Sequence, residues 1–174
     1  MRSKFAAVAA LIAIIGMSVA RPAHAQKIKV GDLAPAFTLM LADGSSVSLA
    51  DLKGQVVVLN FWATWCGPCI KELPTLDAFH DILKDKGLRV FAVATEDSVP
   101  LPKLKKMLAG MTIPMVRRVK GPYRHLGALP TNFVIGRDGR VRYAATGAFD
   151  LDQLNRVIIP LMNERAPTAP ARSR

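Results

Sequence analysis

A chain of 174 residues, 51% hydrophobic and 21% charged, has the size and composition of one globular domain with a well-packed core. Its two cysteines stand three apart, which excludes a disulfide tying distant parts of the fold together; with no second cysteine pair or spaced histidines, they make only half a zinc site. A formal net charge of +11 favours acidic partners or anionic surfaces, but the basic residues are scattered without aromatic interleaving or a nucleic-acid motif, so nucleic acid is not expected as a partner.

Arg2 and Lys4 precede an apolar or small stretch from Phe5 to Ala20, and Ala23-His24-Ala25 supplies an A-x-A ending. This pattern predicts a secretory signal over residues 1–25, cleaved after Ala25. The alternative is an uncleaved anchor, for which 16 apolar residues fall short of the roughly 20 that a span needs. In both cases the domain, residues 26–165, is expected outside the cytoplasm in the periplasm, where thiols meet oxidising surroundings. The leader holds Arg2, Lys4 and Arg21 and no acid, so the charge without it is +8.

From Gly31 to Gly54 the pattern predicts a small antiparallel appendage. Phe37 to Met40 and Val47 to Leu49 flank an Asp43-Gly44 turn, a hairpin signal, and such a hairpin can cover one edge of a larger sheet. The apolar run Val56 to Trp62 then reads as a buried strand. It leads into Trp65-Cys66-Gly67-Pro68-Cys69, and Ile70, Leu73, Leu76 and Phe79 follow at helical spacing. The dithiol is thus expected on the first turn of a helix that runs to about Lys86 and is kinked at Pro74. Unpaired N–H groups and the positive end of the helix dipole favour an anion there, which makes Cys66 the attacking thiolate. Pro68 suits an early helical position, and its rigid ring helps bring Cys66 and Cys69 within bonding distance, so the pair can open and close a disulfide.

A second apolar strand, Leu88 to Ala94, completes a parallel unit with a right-handed crossover, which puts the dithiol at the carboxyl end of the first long strand. Residues 97–121 read as an insertion with one helix, around Leu101, Leu104, Met107 and Leu108, and a short extended piece at Ile113 to Val116. Asn132 to Gly136 and Val141 to Ala144 form a hairpin across Asp138-Gly139. Leu151, Leu154, Val157, Ile158 and Leu161 make a last amphipathic helix, capped by Asp150 and stopping about Pro160. Residues 166–174 are expected to be a disordered tail.

The stretch Phe61 to Cys69, Pro74 beyond it, and Leu129-Pro130-Thr131 opening a late strand together resemble the thioredoxin superfamily. Gly31-Asp32-Leu33-Ala34-Pro35, Asp51-Leu52-Lys53-Gly54, the insertion and Arg137-Asp138-Gly139-Arg140 narrow the resemblance to the TlpA, ResA and CcmG-like members. These are membrane-anchored or exported thiol-disulfide reductants, often of cytochrome c or oxidase maturation. The resemblance spans roughly residues 31–163. It implies an α/β, thioredoxin-like three-layer fold: a central mixed sheet flanked by helices, with an N-terminal β-hairpin extension and a central insertion. It further implies that Pro130 is cis and that Leu129 offers its peptide groups to a substrate chain. Trp65, Gly67, Pro68, Leu129, Pro130 and Thr131 then form the substrate surface, around catalytic Cys66 and Cys69. A membrane electron donor is expected to recharge the pair. The redox disulfide needs no further cofactor or metal, and a monomer is the default.

Two departures matter. Cytoplasmic thioredoxins carry a buried Asp where this chain has Asn60, which cannot accept a proton at neutral pH. Glu72 is the substitute: it stands three residues after Cys69 on the same helix face, and the ResA-like members carry a functional Glu there. A desolvated carboxylate beside a thiol would have a raised pKa; the competing role for Glu72 is a surface pair with Lys71. The opening Gly-Asp-Leu-Ala-Pro is shared with peroxiredoxins, but Phe61-Trp62-Ala63 lacks the Pro and Thr that family places upstream of its cysteine. Two alternatives to the reductant stay open. One is an oxidant that installs disulfides. The other is a Cu(I)-handling protein using Cys66 and Cys69 with Met115, Met111 or His125, whose soft ligands suit copper although their spacing gives no support. His125, His80 and Glu96 carry no assigned role.

Overall fold

Side-chain alternation along the central strands decides the layers. In the computed structural model, which describes residues 27–95 and 100–166, strand β3 (Val56–Trp62) is buried along its whole length. Val56, Val58 and Trp62 enter one hydrophobic core while Val57, Leu59 and Phe61 enter a second on the other face. A strand apolar on both faces belongs in the middle of a sheet. It pairs in parallel with β4 (Leu88–Ala94) on one side and antiparallel with β6 (Thr131–Ile135) on the other.

The full sheet has seven strands. β2 (Ser46–Ser48) and β1 (Thr38–Leu41) form the expected hairpin, and β1 pairs antiparallel with β5 (Met115–Lys120), which lies parallel to β4. β7 (Val141–Thr146) closes the far edge, giving the order β2-β1-β5-β4-β3-β6-β7. The hairpin therefore covers the edge of β5. The short extended piece expected in the insertion is a six-residue strand of this sheet, reached from the short helix α2 (Leu101–Met107). Its first two residues are buried and its later cations Arg117, Arg118 and Lys120 are exposed, which is why apolar pattern alone detected only its start.

Three α-helices supply one core: α1 (Gly67–Leu83) through Leu73 and Leu76, α2 through Leu104, and α3 (Leu151–Asn163) through Leu154, Ile158 and Leu161. The opposite face is closed by a 3-10 turn at Leu49–Leu52, by Ile28 and Phe37 of the N-terminal chain, and by Tyr123, whose ring meets Phe37 and Phe133 edge-on. The layers are those expected, with a 3-10 turn and chain segments forming the third.

α1 passes through Pro74 and ends at Leu83, and a 3-10 turn over Lys84–Lys86 completes the expected length. α3 differs from expectation. Asp150 caps it through Gln153 N–H, but the helix runs past Pro160 to Asn163. Proline removes one donor in the final turn, and burial of Leu161, 6% exposed, against the core outweighs that loss. The leader over residues 1–25, Glu96, and the tail beyond Ala166 lie outside the described residues; within them no helix is long and apolar enough to cross a membrane.

Candidate active site

The site forms where β3 ends. Trp62 is fully buried at the end of the strand, and the turn through Ala63 and Thr64 is fixed by Cys66 N–H donating to the Ala63 carbonyl at 3.1 Å. Cys66 is the N-cap of α1: its sulfur accepts the Cys69 N–H at 3.3 Å, and its carbonyl accepts from Ile70 N–H. Pro68 occupies the first turn, where a missing N–H costs nothing. Cys66 and Cys69 are joined in a disulfide, with their Cα atoms 5.3 Å apart. The expected dithiol on a helix N-terminus is thus present.

Both cysteines are buried in the same core, but to different depths: Cys66, 5% exposed, sits behind exposed Gly67 and Pro68 and next to Trp65, which is 64% exposed, whereas Cys69 is fully buried with Leu73, Val134 and Phe149. The loop before β6 packs through Leu129 on the core that holds both cysteines. The Leu129-Pro130 peptide is cis, as the resemblance implied. Thr131 fixes this loop: its hydroxyl donates to the Ala128 carbonyl at 2.7 Å and accepts Leu126 N–H at 3.0 Å. Pro130 C=O accepts Gly147 N–H, while among the described residues neither peptide group of Leu129 pairs with another backbone group. Exposed Leu126 stands on the same loop.

Glu72 is 2% exposed, so the pairing with Lys71 on the surface is ruled out. The carboxylate lies inside the core and is held from three directions. Asn60 Nδ2 on β3 donates to Oε2 at 3.0 Å, and Asn132 Nδ2 on β6 donates to Oε1 at 2.8 Å. Phe149 N–H, just before α3, donates to the same Oε1 at 2.8 Å. Asn60 Nδ2 also reaches Asn132 Oδ1 at 2.9 Å, and Asn132 Nδ2 reaches the Gly147 carbonyl at 3.2 Å. Burial pushes the Glu72 carboxyl above its ordinary range, while the Phe149 N–H and the Asn132 and Asn60 amides pull it back. Tyr143 on β7 is pushed up by burial first and by the Glu72 charge second.

Asn132 and Phe149 had no place in the sequence reading of the site. The signal for Asn132 was available: it is a polar residue inside an apolar strand, and in the antiparallel register it falls directly opposite Asn60. A backbone N–H such as that of Phe149 leaves no trace in sequence.

The other candidates do not converge on the dithiol. Met115 and Met111 pack on the same core as the cysteines, but His125 lines a separate hollow of about 170 Å³ with Lys27, Arg124 and Phe133, whose ring belongs to the opposite core. Among the described residues no three His, Cys, Asp or Glu side chains cluster as metal ligands would. His80 is buried on α1, with Nδ1 3.2 Å from the Thr112 hydroxyl, and its burial and nearby Arg89 lower its pKa; it braces the insertion.

Comparison with known proteins agrees with this geometry. The redoxin family pattern matches residues 29–158. The thiol-disulfide oxidoreductase ResA of Bacillus thuringiensis (strain Al Hakam) is 34% identical over 136 residues, covering 76% of this chain and 78% of that protein. ResA of Bacillus subtilis (strain 168) is 35% identical over 144 residues, 79% of each chain. Among solved structures, a thiol:disulfide interchange protein of the thioredoxin family from Chlorobium tepidum TLS superposes with a TM-score of 0.66 at 25% identity, over 79% of this chain and 100% of that one. The chain belongs to the redoxin family of the thioredoxin superfamily and is a TlpA/ResA/CcmG-like thiol-disulfide oxidoreductase.

Proposed function

We propose that this oxidoreductase is an exported reductant of disulfides in partner proteins, with Cys66 as nucleophile, Cys69 as resolving thiol and Glu72 as the proton acceptor of Cys69. The observation that carries the reading is the asymmetry of the pair: an outer cysteine, 5% exposed, at the helix N-cap beside exposed Trp65, and a fully buried inner cysteine on the helix that also bears the buried Glu72 carboxylate.

In the reduced protein the Cys66 thiolate attacks one sulfur of a substrate disulfide. The substrate's S–S bond breaks, one substrate thiolate leaves, and a mixed disulfide on Cys66 forms. Cys69 gives its proton to Glu72 and attacks the Cys66 sulfur, which expels the second substrate thiolate. The substrate gains two electrons and the Cys66–Cys69 disulfide is left. Trp65, Gly67 and Pro68 supply the rim against which the substrate rests, and Leu129 beside Pro130, on the loop anchored by Thr131, offers its peptide groups to an extended substrate chain.

A membrane protein that carries electrons from the cytoplasm re-reduces the pair, and the substrates are exported proteins, including those of cytochrome c or oxidase maturation. The signal-like pattern of residues 1–25 supports export. The protein acts as a monomer without a bound cofactor.

The test is the equilibrium reduction potential of the pair in defined thiol buffers. The reductant reading expects a value near the about −270 mV of reducing thioredoxins. A value near the about −120 mV of a strong disulfide donor would overturn it, because the pair would then be poised to oxidise exported proteins.

A further inference from the structure

A buried carboxylate can serve a thiol only if it is kept in place, and the Glu72 side chain reaches two strands, β3 and β6, and the segment before α3. All three send a donor to it. Asn60 and Asn132 face each other across β3 and β6, each with one amide nitrogen spent on a different Glu72 oxygen, and Phe149 N–H shares the second oxygen. The amide orientations are dictated by their partners. Turning Asn60 over would set its oxygen against Glu72 Oε2 and Asn132 Oδ1, two acceptors. As it stands, Asn60 Oδ1 is buried without a partner. A core normally avoids an orphan acceptor. Here it accompanies the use of Asn60 as a donor to both neighbours.

We propose that Asn132 and Asn60 are positioning residues for the dithiol chemistry, fixing the Glu72 carboxylate between β3, β6 and the start of α3 on the helix face it shares with the resolving thiol. This rests on the proton-accepting role of Glu72 proposed above. Neither amide touches substrate or exchanges a proton; each acts through Glu72. Three donor contacts to two oxygens suit the ionised carboxylate, the form that must be waiting when Cys69 gives up its proton.

The titratable groups around Glu72 are few. Cys69 lies three residues back on α1, and β7 presents Tyr143, whose raised phenol stays protonated through neutral pH. From β3 and β6 only the two amides face it, and Asp150, after Phe149, is turned to the Gln153 N–H as a helix cap.

The experiment is single-turnover reduction of 5,5′-dithiobis(2-nitrobenzoate) by the fully reduced protein, followed by stopped flow between about pH 5 and pH 9. The first thionitrobenzoate released marks attack by Cys66, and the second marks resolution by Cys69. In the wild type the second phase accelerates with rising pH as Glu72 ionises. Asn132→Ala removes a donor that favours the ionised form, so this limb moves to higher pH by about one unit, a tenfold slowing at a fixed pH on the limb. Asn60→Ser, which acts on the other oxygen, moves it in the same direction. Glu72→Gln removes the limb, and adding Asn132→Ala to Glu72→Gln changes nothing further.

If Glu72→Gln alters the second phase and the amide variants leave its midpoint in place, the positioning role is overturned while the proton acceptor stands. If Glu72→Gln leaves the profile unchanged, the proton acceptor itself is overturned. The native protein supplies a check that needs no variant to fold: the side-chain amide ¹⁵N signals of Asn60 and Asn132 should titrate with the midpoint of the second-phase limb, and separate midpoints would refute the coupling.

Discussion

Asn60→Asp is the substitution that tests the buried polar cluster most severely. Its side chain has almost the shape of the original, so packing is unchanged, but an oxygen replaces the nitrogen that lies 3.0 Å from Glu72 Oε2 and 2.9 Å from Asn132 Oδ1. Two carboxylates 3.0 Å apart repel by about 5.5 kcal/mol at an effective dielectric of ~20, equivalent to roughly four pK units. They cannot both ionise near neutral pH, and the pair holds one proton between them. The folded value for losing that shared proton lies above the unfolded carboxylate range of about 4. The variant therefore keeps its stability at low pH and loses it as pH rises through the raised folded value. Urea unfolding of the oxidised protein at pH 5 and pH 9 reads this directly. At pH 5 the shared proton bridges the pair, and the variant should lie within about 1 kcal/mol of wild type, the cost of one donor. At pH 9 the deficit should reach several kcal/mol, bounded by the roughly 5.5 kcal/mol repulsion. An equal deficit at both pH values would refute the reasoning, since it would mean that the oxygens do not meet.

Two further outcomes follow from local contacts. Thr131→Val keeps shape but orphans Leu126 N–H and the Ala128 carbonyl, at a cost of about 1–3 kcal/mol per unmet group; kcat/KM for a protein disulfide should fall well below wild type while reduction of a small aromatic disulfide changes little, and equal losses for both substrates would show that the loop does not guide the chain. Pro160→Ala returns an N–H donor to the last turn of α3 on an exposed position, and urea unfolding should register a gain of about 1 kcal/mol, whereas a loss would mean that the proline ring itself is needed there.

Sequence periodicity revealed most of this fold because most of its core is built from period-two strands and amphipathic helices. Val56 to Trp62 is apolar at every position but one, and it lies at the centre of the sheet. The dithiol, its place on a helix N-terminus and the capping by Asp150 were all local features, each written within a few residues. What stayed hidden depends on neighbours remote in sequence. β5 carries Arg117, Arg118 and Lys120 because only its first residues are covered, and its pairing with β1 more than 70 positions away has no local mark. The continuation of α3 through Pro160 depends on the core waiting for Leu161. The distribution of the helices, all three contributing to one core while a 3-10 turn covers the other, cannot be read from any single segment. At the site, Glu72 and Asn60 were each visible as unusual residues, but the bond between them needed the register that sets Asn60 against Asn132.

That register bears on where a proton acceptor can be placed in such a fold. A carboxylate on β3 would belong to the sheet, and its distance to the inner sulfur would change with any shift of α1 against the strands. A carboxylate at position 72 rides on the same helix as Cys69, three residues along, so the two keep their spacing whatever α1 does. The difficulty then passes to the carboxylate's orientation, because a Glu side chain has three rotatable bonds and costs more entropy to order than an Asp. Strand amides opposite the helix resolve this: Asn60 and Asn132 belong to adjacent paired strands at the sheet's centre, and each fixes a different oxygen. The amide on β3 and the acid on α1 are thus complementary consequences of one choice. An Asp at position 60 and a Glu at position 72 would oppose each other as two charges, which is why changing Asn60 to Asp while Glu72 stays is expected to destabilise the protein at high pH.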